Sequence, residues 1–119
     1  MLNNFSKFNN VIKLSSKINV YIPSTIDIDK NINNEEYVNK TATLLSNCFG
    51  GATSANTLGY WNSKNNGLVT EKSTMVFSYC TDAQLNEKIE EILNWCVTMK
   101  EELRQEAIAI EVNGEMWLV

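Results

Sequence analysis

The feature that most constrains this chain is an ordered run of signals in its last third. Thr81-Asp82-Ala83-Gln84 is a capping box, in which the Thr81 hydroxyl can accept from the N–H of Gln84 while the Gln84 side chain reaches back. Apolar residues then recur at Leu85, Ile89, Ile92, Leu93, Cys96, Met99 and Leu103, the spacing of one buried helix face. Ile108, Ile110 and Val112 alternate after it, and Asn113-Gly114 is a strong hairpin turn signal. A capped helix must therefore run into a strand, a tight turn and a second strand.

The first half holds a shorter version of the same order. Ile18, Val20 and Ile22 alternate with Asn19 and Tyr21 in a half-buried strand that Pro23 ends. Residues 24–33 read as a loop. Asn34 can cap a helix with Glu35 and Glu36 in its first turn, with Tyr37, Val38, Thr41, Leu44, Leu45 and Cys48 on its apolar face, and with Gly50-Gly51 as its stop. A strand over Thr53–Trp61, a turn over Asn62–Gly67 and a long strand from Leu68 to about Cys80 follow. With a fourth strand at Glu106–Val112 and a short fifth at Glu115–Val119, the order is βαββαββ.

Two helices that each join two strands, around a central hairpin, predict an α+β ferredoxin-like sheet with a short extra C-terminal strand. Both helices then lie on one face of an antiparallel sheet. Parity assigns Ile18, Val20, Ile22, Met75, Phe77, Ile108, Ile110 and Val112 to the helix side. The open face then carries Tyr21, Gly59, Trp61, Thr74, Val76, Ser78, Ala107, Ala109 and Glu111. A mixed apolar face of that size packs against another subunit or forms a ligand cleft, so a homo-oligomer is expected, with Tyr21, Trp61, Thr74, Ser78 and Glu111 as ligand or interface residues.

At 119 residues and 44% apolar content, the expectation is one domain over residues 17–119, preceded by a flexible or short helical arm over residues 1–16. The segment Met1–Lys17 has no unbroken apolar centre and no small-residue cleavage site, and no apolar run spans a bilayer, so a cytoplasmic protein is expected. Cys48, Cys80 and Cys96 have no metal-binding spacing and read as free, packed thiols.

The net charge of −4 is unevenly spread, at +1 for residues 1–40, +1 for 41–81 and −6 for 82–119. A nucleic-acid binder needs a basic stripe, which is missing. The excess sits on the second helix at Glu87, Glu90, Glu91, Glu101 and Glu102, which read either as a solvated face or as a surface for a host protein partner. Trp95 lies one position off the buried stripe of that helix, as core edge or interface anchor.

The chain contains no histidine, which excludes Ser-His and Cys-His pairs and histidine metal sites. It has no phosphate-cradling loop and no dinucleotide fingerprint, and no cofactor or metal is expected. Glu71 and Glu106 form a candidate acid pair if the third and fourth strands are close. Glu106 reads more simply as a charged strand start, and Glu71 as a partner of Lys72.

At Gly59-Tyr60-Trp61, Gly67-Leu68-Val69-Thr70-Glu71 and Gln105-Glu106-Ala107 the chain resembles a family of small uncharacterised bacterial and phage proteins. Its members look like ferredoxin-like domains with a Gly-x-Trp hairpin and a Gln-Glu-Ala/Ser step before the last strands. The resemblance covers about residues 17–119 and implies the fold and a phage or plasmid origin; it assigns no catalytic residue. The expected function is a non-enzymatic, oligomeric binding protein that counters a host defence by sequestering a small ligand or blocking a protein. One alternative is an acidic-helix inhibitor of a nucleic-acid-binding host enzyme. Another is a small cofactor-free enzyme that uses the open sheet face.

Overall fold

A computed structural model describes residues 7–27 and 29–119. Its main body is built from β1 (Ser16–Pro23), α1 (Glu35–Phe49), β4 (Thr53–Ser63), β5 (Gly67–Cys80), α2 (Asp82–Glu102), β6 (Ala109–Val112) and β7 (Glu115–Leu118). The strands form one antiparallel sheet in the order β4-β5-β1-β6-β7, the ferredoxin-like layout with β7 added at the edge. A small hairpin, β2 (Thr25–Ile26) with β3 (Lys30–Asn31), occupies the stretch expected to be a loop. Its two-residue strands are too short and too polar to show alternation. Of the expected N-terminal arm, residues 1–6 lie outside the described residues. Beyond them a turn closes with the Val11 N–H donating to the Phe8 carbonyl at 3.1 Å.

Both helices cover one face of the sheet. Leu45 of α1 and Leu85, Ile92, Cys96 and Met99 of α2 are buried against Ile18, Val20, Ile22, Val76, Ile108 and Ile110. Burying a side chain of this size contributes roughly 1.5–3 kcal/mol, so this face carries most of the stability. The capping box forms in full: the Gln84 N–H donates to Thr81 Oγ1 at 3.1 Å and the Thr81 N–H donates to Gln84 Oε1 at 2.9 Å. Asn113 takes the left-handed conformation at φ 50° that the hairpin turn requires. Trp95 bridges the helices, stacked on Tyr37 with centroids 6.2 Å apart and donating from Nε1 to Thr41 Oγ1 at 2.8 Å.

The parity expected for β5 is reversed. Directly opposite residues in a ladder share a face, and Ile18, Val20 and Ile22 pair with Ser78, Val76 and Thr74. Thr74, Val76 and Ser78 therefore lie under the helices, and Met75 and Phe77 lie on the open face. The buried hydroxyls are satisfied there: Ser78 Oγ donates to the Gly51 carbonyl at 2.6 Å, and Thr74 Oγ1 donates to Asn56 Oδ1 at 3.3 Å while accepting from Asn34 Nδ2 at 3.2 Å. Asn34 occupies the N-cap of α1 but makes no side-chain cap, because its amide is turned to Thr74, Ser24 and the Ile22 carbonyl.

Ser73–Cys80 is the part of β5 that pairs with β1, while β4 pairs with Gly67–Phe77. Residues 58–63 and 67–72 therefore extend past β1 as a two-stranded arm. Tyr60 is 62% exposed and Leu68 63% exposed on it.

Candidate functional site

Where the arm leaves the sheet, the open face is concave. Tyr21 and Pro23 of β1, Thr57 and Gly59 of β4, Glu71 and Ser73 of β5, Ala109 of β6 and Met116 of β7 line a cavity of about 530 Å³, a size that suits a small molecule. A second hollow of about 700 Å³ continues along the arm, lined by Trp61, Val69 and Thr70 together with Asp29, Asn31 and Ile32. Ser24, Thr25, Glu71 and Lys72 line both. The two cavities thus meet beside Glu71, whose side chain is on the open face, while Lys72, the next residue of β5, alternates to the opposite face.

Sheet register explains the space at this junction. Gly59 stands directly opposite Glu71, between Thr57 and Trp61 on the same face. A Cβ at Gly59 would approach nothing more closely than the Glu71 carbonyl oxygen at 3.7 Å, so the missing side chain leaves open floor rather than relieving a clash. Trp61, opposite Val69, is 49% exposed, and among the described residues no hydrogen bond holds its indole N–H.

The rim is held by the end of α2. Leu103 caps that helix, and the Gln105 N–H donates to the Lys100 carbonyl at 3.0 Å in a Schellman-type ending. Arg104, the chain's single arginine, therefore sits in the left-handed region at φ 52°, where glycine is usual. Asp27 faces it at φ 55° and accepts from Arg104 Nη1 at 2.8 Å, while the Asp27 N–H donates to the Leu103 carbonyl at 3.1 Å. Gln105 Nε2 donates to the carbonyls of Thr25 and Leu103, each at 3.1 Å. These contacts clamp the β2–β3 hairpin to the α2–β6 connection, placing Thr25 and Gln105 on the cavity wall.

The sequence-derived site residues divide accordingly. Tyr21 lines the first cavity and Trp61 the second. Glu111 is half-buried on the open face beside Met116, its cross-strand partner. Thr74 and Ser78 leave the set, because the β1 register puts them beneath the helices. Glu71 joins it; the sequence singled it out only as a candidate acid pair with Glu106 or as a partner of Lys72, and the ladder places it opposite Gly59. Gln105 and Ala107 line the first cavity on either side of Glu106, which is exposed. Glu87, Glu90, Glu91, Glu101 and Glu102 are all exposed on α2, away from the sheet. Two of them serve α1: Glu91 accepts from Cys48 Sγ at 3.8 Å, and Glu102 from the Tyr37 hydroxyl at 3.0 Å. Among the described residues, no three His, Cys, Asp or Glu side chains gather as metal ligands, and no helix is long and apolar enough to cross a membrane.

No protein-family model and no curated protein matches this sequence. Solved structures do match. A phage SAM lyase in complex with S-methyl-5′-thioadenosine is similar at a TM-score of 0.63 and 14% identity, with 92% of each chain covered. A phage SAM lyase in its apo state is similar at a TM-score of 0.58 and 14% identity, covering 92% of this chain and 94% of that one. The fold is shared with a phage enzyme.

That finding corrects the expected function. The similar chains match over nearly their whole length, and they are those of an enzyme rather than a non-enzymatic binding protein. The acidic helix, on which the inhibitor alternative rested, lies on the far side of the sheet from both cavities.

Proposed function

We propose that this protein is a lyase that cleaves S-adenosylmethionine in the paired cavities on its open sheet face. The position of Glu71 carries this reading. The substrate is a sulfonium cation with two arms, an adenosine and a four-carbon amino acid. Glu71 stands exposed where two cavities meet, and a bound cation that displaces the water around it gains more from the carboxylate than it would in bulk water. The likeness to a phage SAM lyase supports the reading at the level of the fold.

The chemistry needs little from the protein. When the bond between sulfur and the amino-acid carbon breaks, both electrons stay on sulfur and S-methyl-5′-thioadenosine leaves as a neutral thioether. The four-carbon fragment balances from within, through its own carboxylate closing on that carbon or through loss of a neighbouring proton, and no water is consumed. Positioning the arms and stabilising the cation are the tasks left to the site. Incubating the purified protein with S-adenosylmethionine and following S-methyl-5′-thioadenosine by chromatography tests this directly. Glu71→Gln should lower kcat/KM at least a hundredfold, about 2.7 kcal/mol of transition-state stabilisation. Wild-type protein that forms no thioether product, or a Glu71→Gln variant as active as wild type, refutes the proposal.

The same reading includes a second copy of the chain over the open face. Met116 is 58% exposed and Leu118 72% exposed on the open face of the edge strand, and Trp61 is 49% exposed on the same face of the arm. A neighbouring protomer would cover this apolar surface. Light scattering should report a multimer, and a stable monomer at working concentration counters this part.

A further inference from the structure

We infer that the cavity beside Trp61 is the seat of the adenosine arm, with the Trp61 indole as the shelf on which the purine stacks. This rests on the lyase reading and adds a direction to it, since two connected cavities do not say which arm of the substrate enters which. Three observations decide the direction.

Trp61 presents half of its surface, and its only cross-strand neighbour on that face is Val69, so the ring is available to a flat partner. Base stacking on an aromatic side chain needs a free π-face and no particular base sequence. The indole N–H has no hydrogen-bond partner among the described residues and stands available to a purine nitrogen, whereas the Trp95 N–H is spent on Thr41. The wall facing Trp61 carries Asp29 and Asn31, an acceptor pair for ribose hydroxyls and a mixed donor and acceptor for a base edge.

The other cavity is unsuited to a base. Its aromatic residue, Tyr21, lies flanked by Pro23, Ala109 and Met116 along the sheet floor, and its polar groups are Ser73, Thr57 and Gln105. The Thr57 and Ser73 hydroxyls, hydrogen-bonded to each other, and the Gln105 amide oxygen, whose Nε2 is engaged by backbone carbonyls, suit the ammonium of an amino-acid arm. Gly59 lies between the two cavities, and its missing side chain lets the chain of atoms through sulfur cross the sheet floor beside Glu71.

The probe is S-methyl-5′-thioadenosine, which carries the adenosine arm and lacks the amino-acid arm. Calorimetric titration should show Trp61→Ala binding it about tenfold more weakly than wild type, equivalent to about 1.4 kcal/mol. Trp61→Phe, which keeps a stacking face, should stay within about threefold. Ser73→Ala, in the other cavity alone, should leave the thioadenosine affinity unchanged and weaken S-adenosylmethionine. Fluorescence gives a reading that does not depend on the alanine variant folding. The probe should quench wild-type emission and leave the emission of Trp61→Phe unaltered. Equal probe binding by Trp61→Ala and wild type, or an equal quench in Trp61→Phe, overturns the inference while the lyase reading stands. A wild-type protein that turns over no S-adenosylmethionine and binds no thioadenosine overturns both.

Discussion

The two faces of the one sheet are built on opposite rules. Beneath the helices every position is filled: Ile18, Val20, Ile22, Val76 and Ile110 have no exposure, and even the hydroxyls of Thr74 and Ser78 are hydrogen-bonded. On the other face the same strands present a bare glycine opposite a carboxylate, a half-exposed indole and a buried amide oxygen without a donor. The helix side is packed for stability; the open side leaves space and an exposed carboxylate at Glu71. The packed core and the proposed site thus lie back to back on alternate residues, and a substitution one position along a strand changes which of the two it touches.

The largest expected effect tests this division in a single ladder. Ile110→Ala, on the covered face, should lower the unfolding free energy by about 2–5 kcal/mol, read from the shift in urea midpoint. Met116→Ala, on the open face next to β6, should cost less than about 1 kcal/mol in a monomer. A Met116→Ala cost as large as that of Ile110→Ala would mean that the open face is also covered in solution, by the second copy proposed above.

The covered face also predicts the alkaline behaviour. Burial pushes the Cys96 thiol up to about 12 and raises that of Cys80 as well. In the unfolded chain a thiol ionises near about 8.5. A group whose pKa is raised by folding contributes stability that is whole below the unfolded value and is lost as pH climbs toward the folded one. Stability should therefore fall above about pH 8.5 and the fall should be shallower in Cys96→Ala, measured by urea unfolding across that range. An identical slope in the variant removes Cys96 from the account.

Helix capping should cost less. Thr81→Ala removes one half of the capping box and leaves the Gln84 N–H without its acceptor, a loss of about 1 kcal/mol by thermal or urea unfolding. The smallest stability effect belongs to the rim. Arg104→Gly loses an exposed ion pair worth at most about 1 kcal/mol and relieves a left-handed backbone costing at least about as much, so unfolding should barely change. The β2–β3 hairpin would lose its clamp, so KM should rise with little change in kcat. A changed stability with an unchanged KM would reduce the clamp to a structural detail.

Much of the fold was legible because its signals are local. The capping box at Thr81, the left-handed turn at Asn113 and the stop at Gly50 each depend on neighbours within a few residues, and each appears where the chain places it. The β5 face was not legible. Met75, Phe77 and Tyr79 on one side, and Val76 and Cys80 on the other, make two nearly equal apolar sets. The more hydrophobic of them is the one that faces away from the helices. The β2–β3 hairpin was hidden for a different reason, since its closure depends on contacts with Leu103, Arg104 and Gln105, distant in the chain.

The candidate site shows the same split. Tyr21 and Trp61 could be picked out because large aromatics on strands that leave one face uncovered have few uses. Thr74 and Ser78 were assigned with them by an alternation counted on one strand alone. Glu71 read as the partner of a neighbouring lysine, and only the β4 ladder reveals that it stands opposite a glycine, at the junction of two cavities.

Local patterns by themselves determined the order of elements, the antiparallel α+β architecture and the absence of histidine chemistry, because periodicity, capping and composition are written along the chain. The tertiary structure alone decided which face of β5 is buried, which carboxylate meets an open floor and which cavity holds an indole. Strand register is a relation between segments far apart in sequence, and a shift of one residue in it turns every side chain to the opposite face.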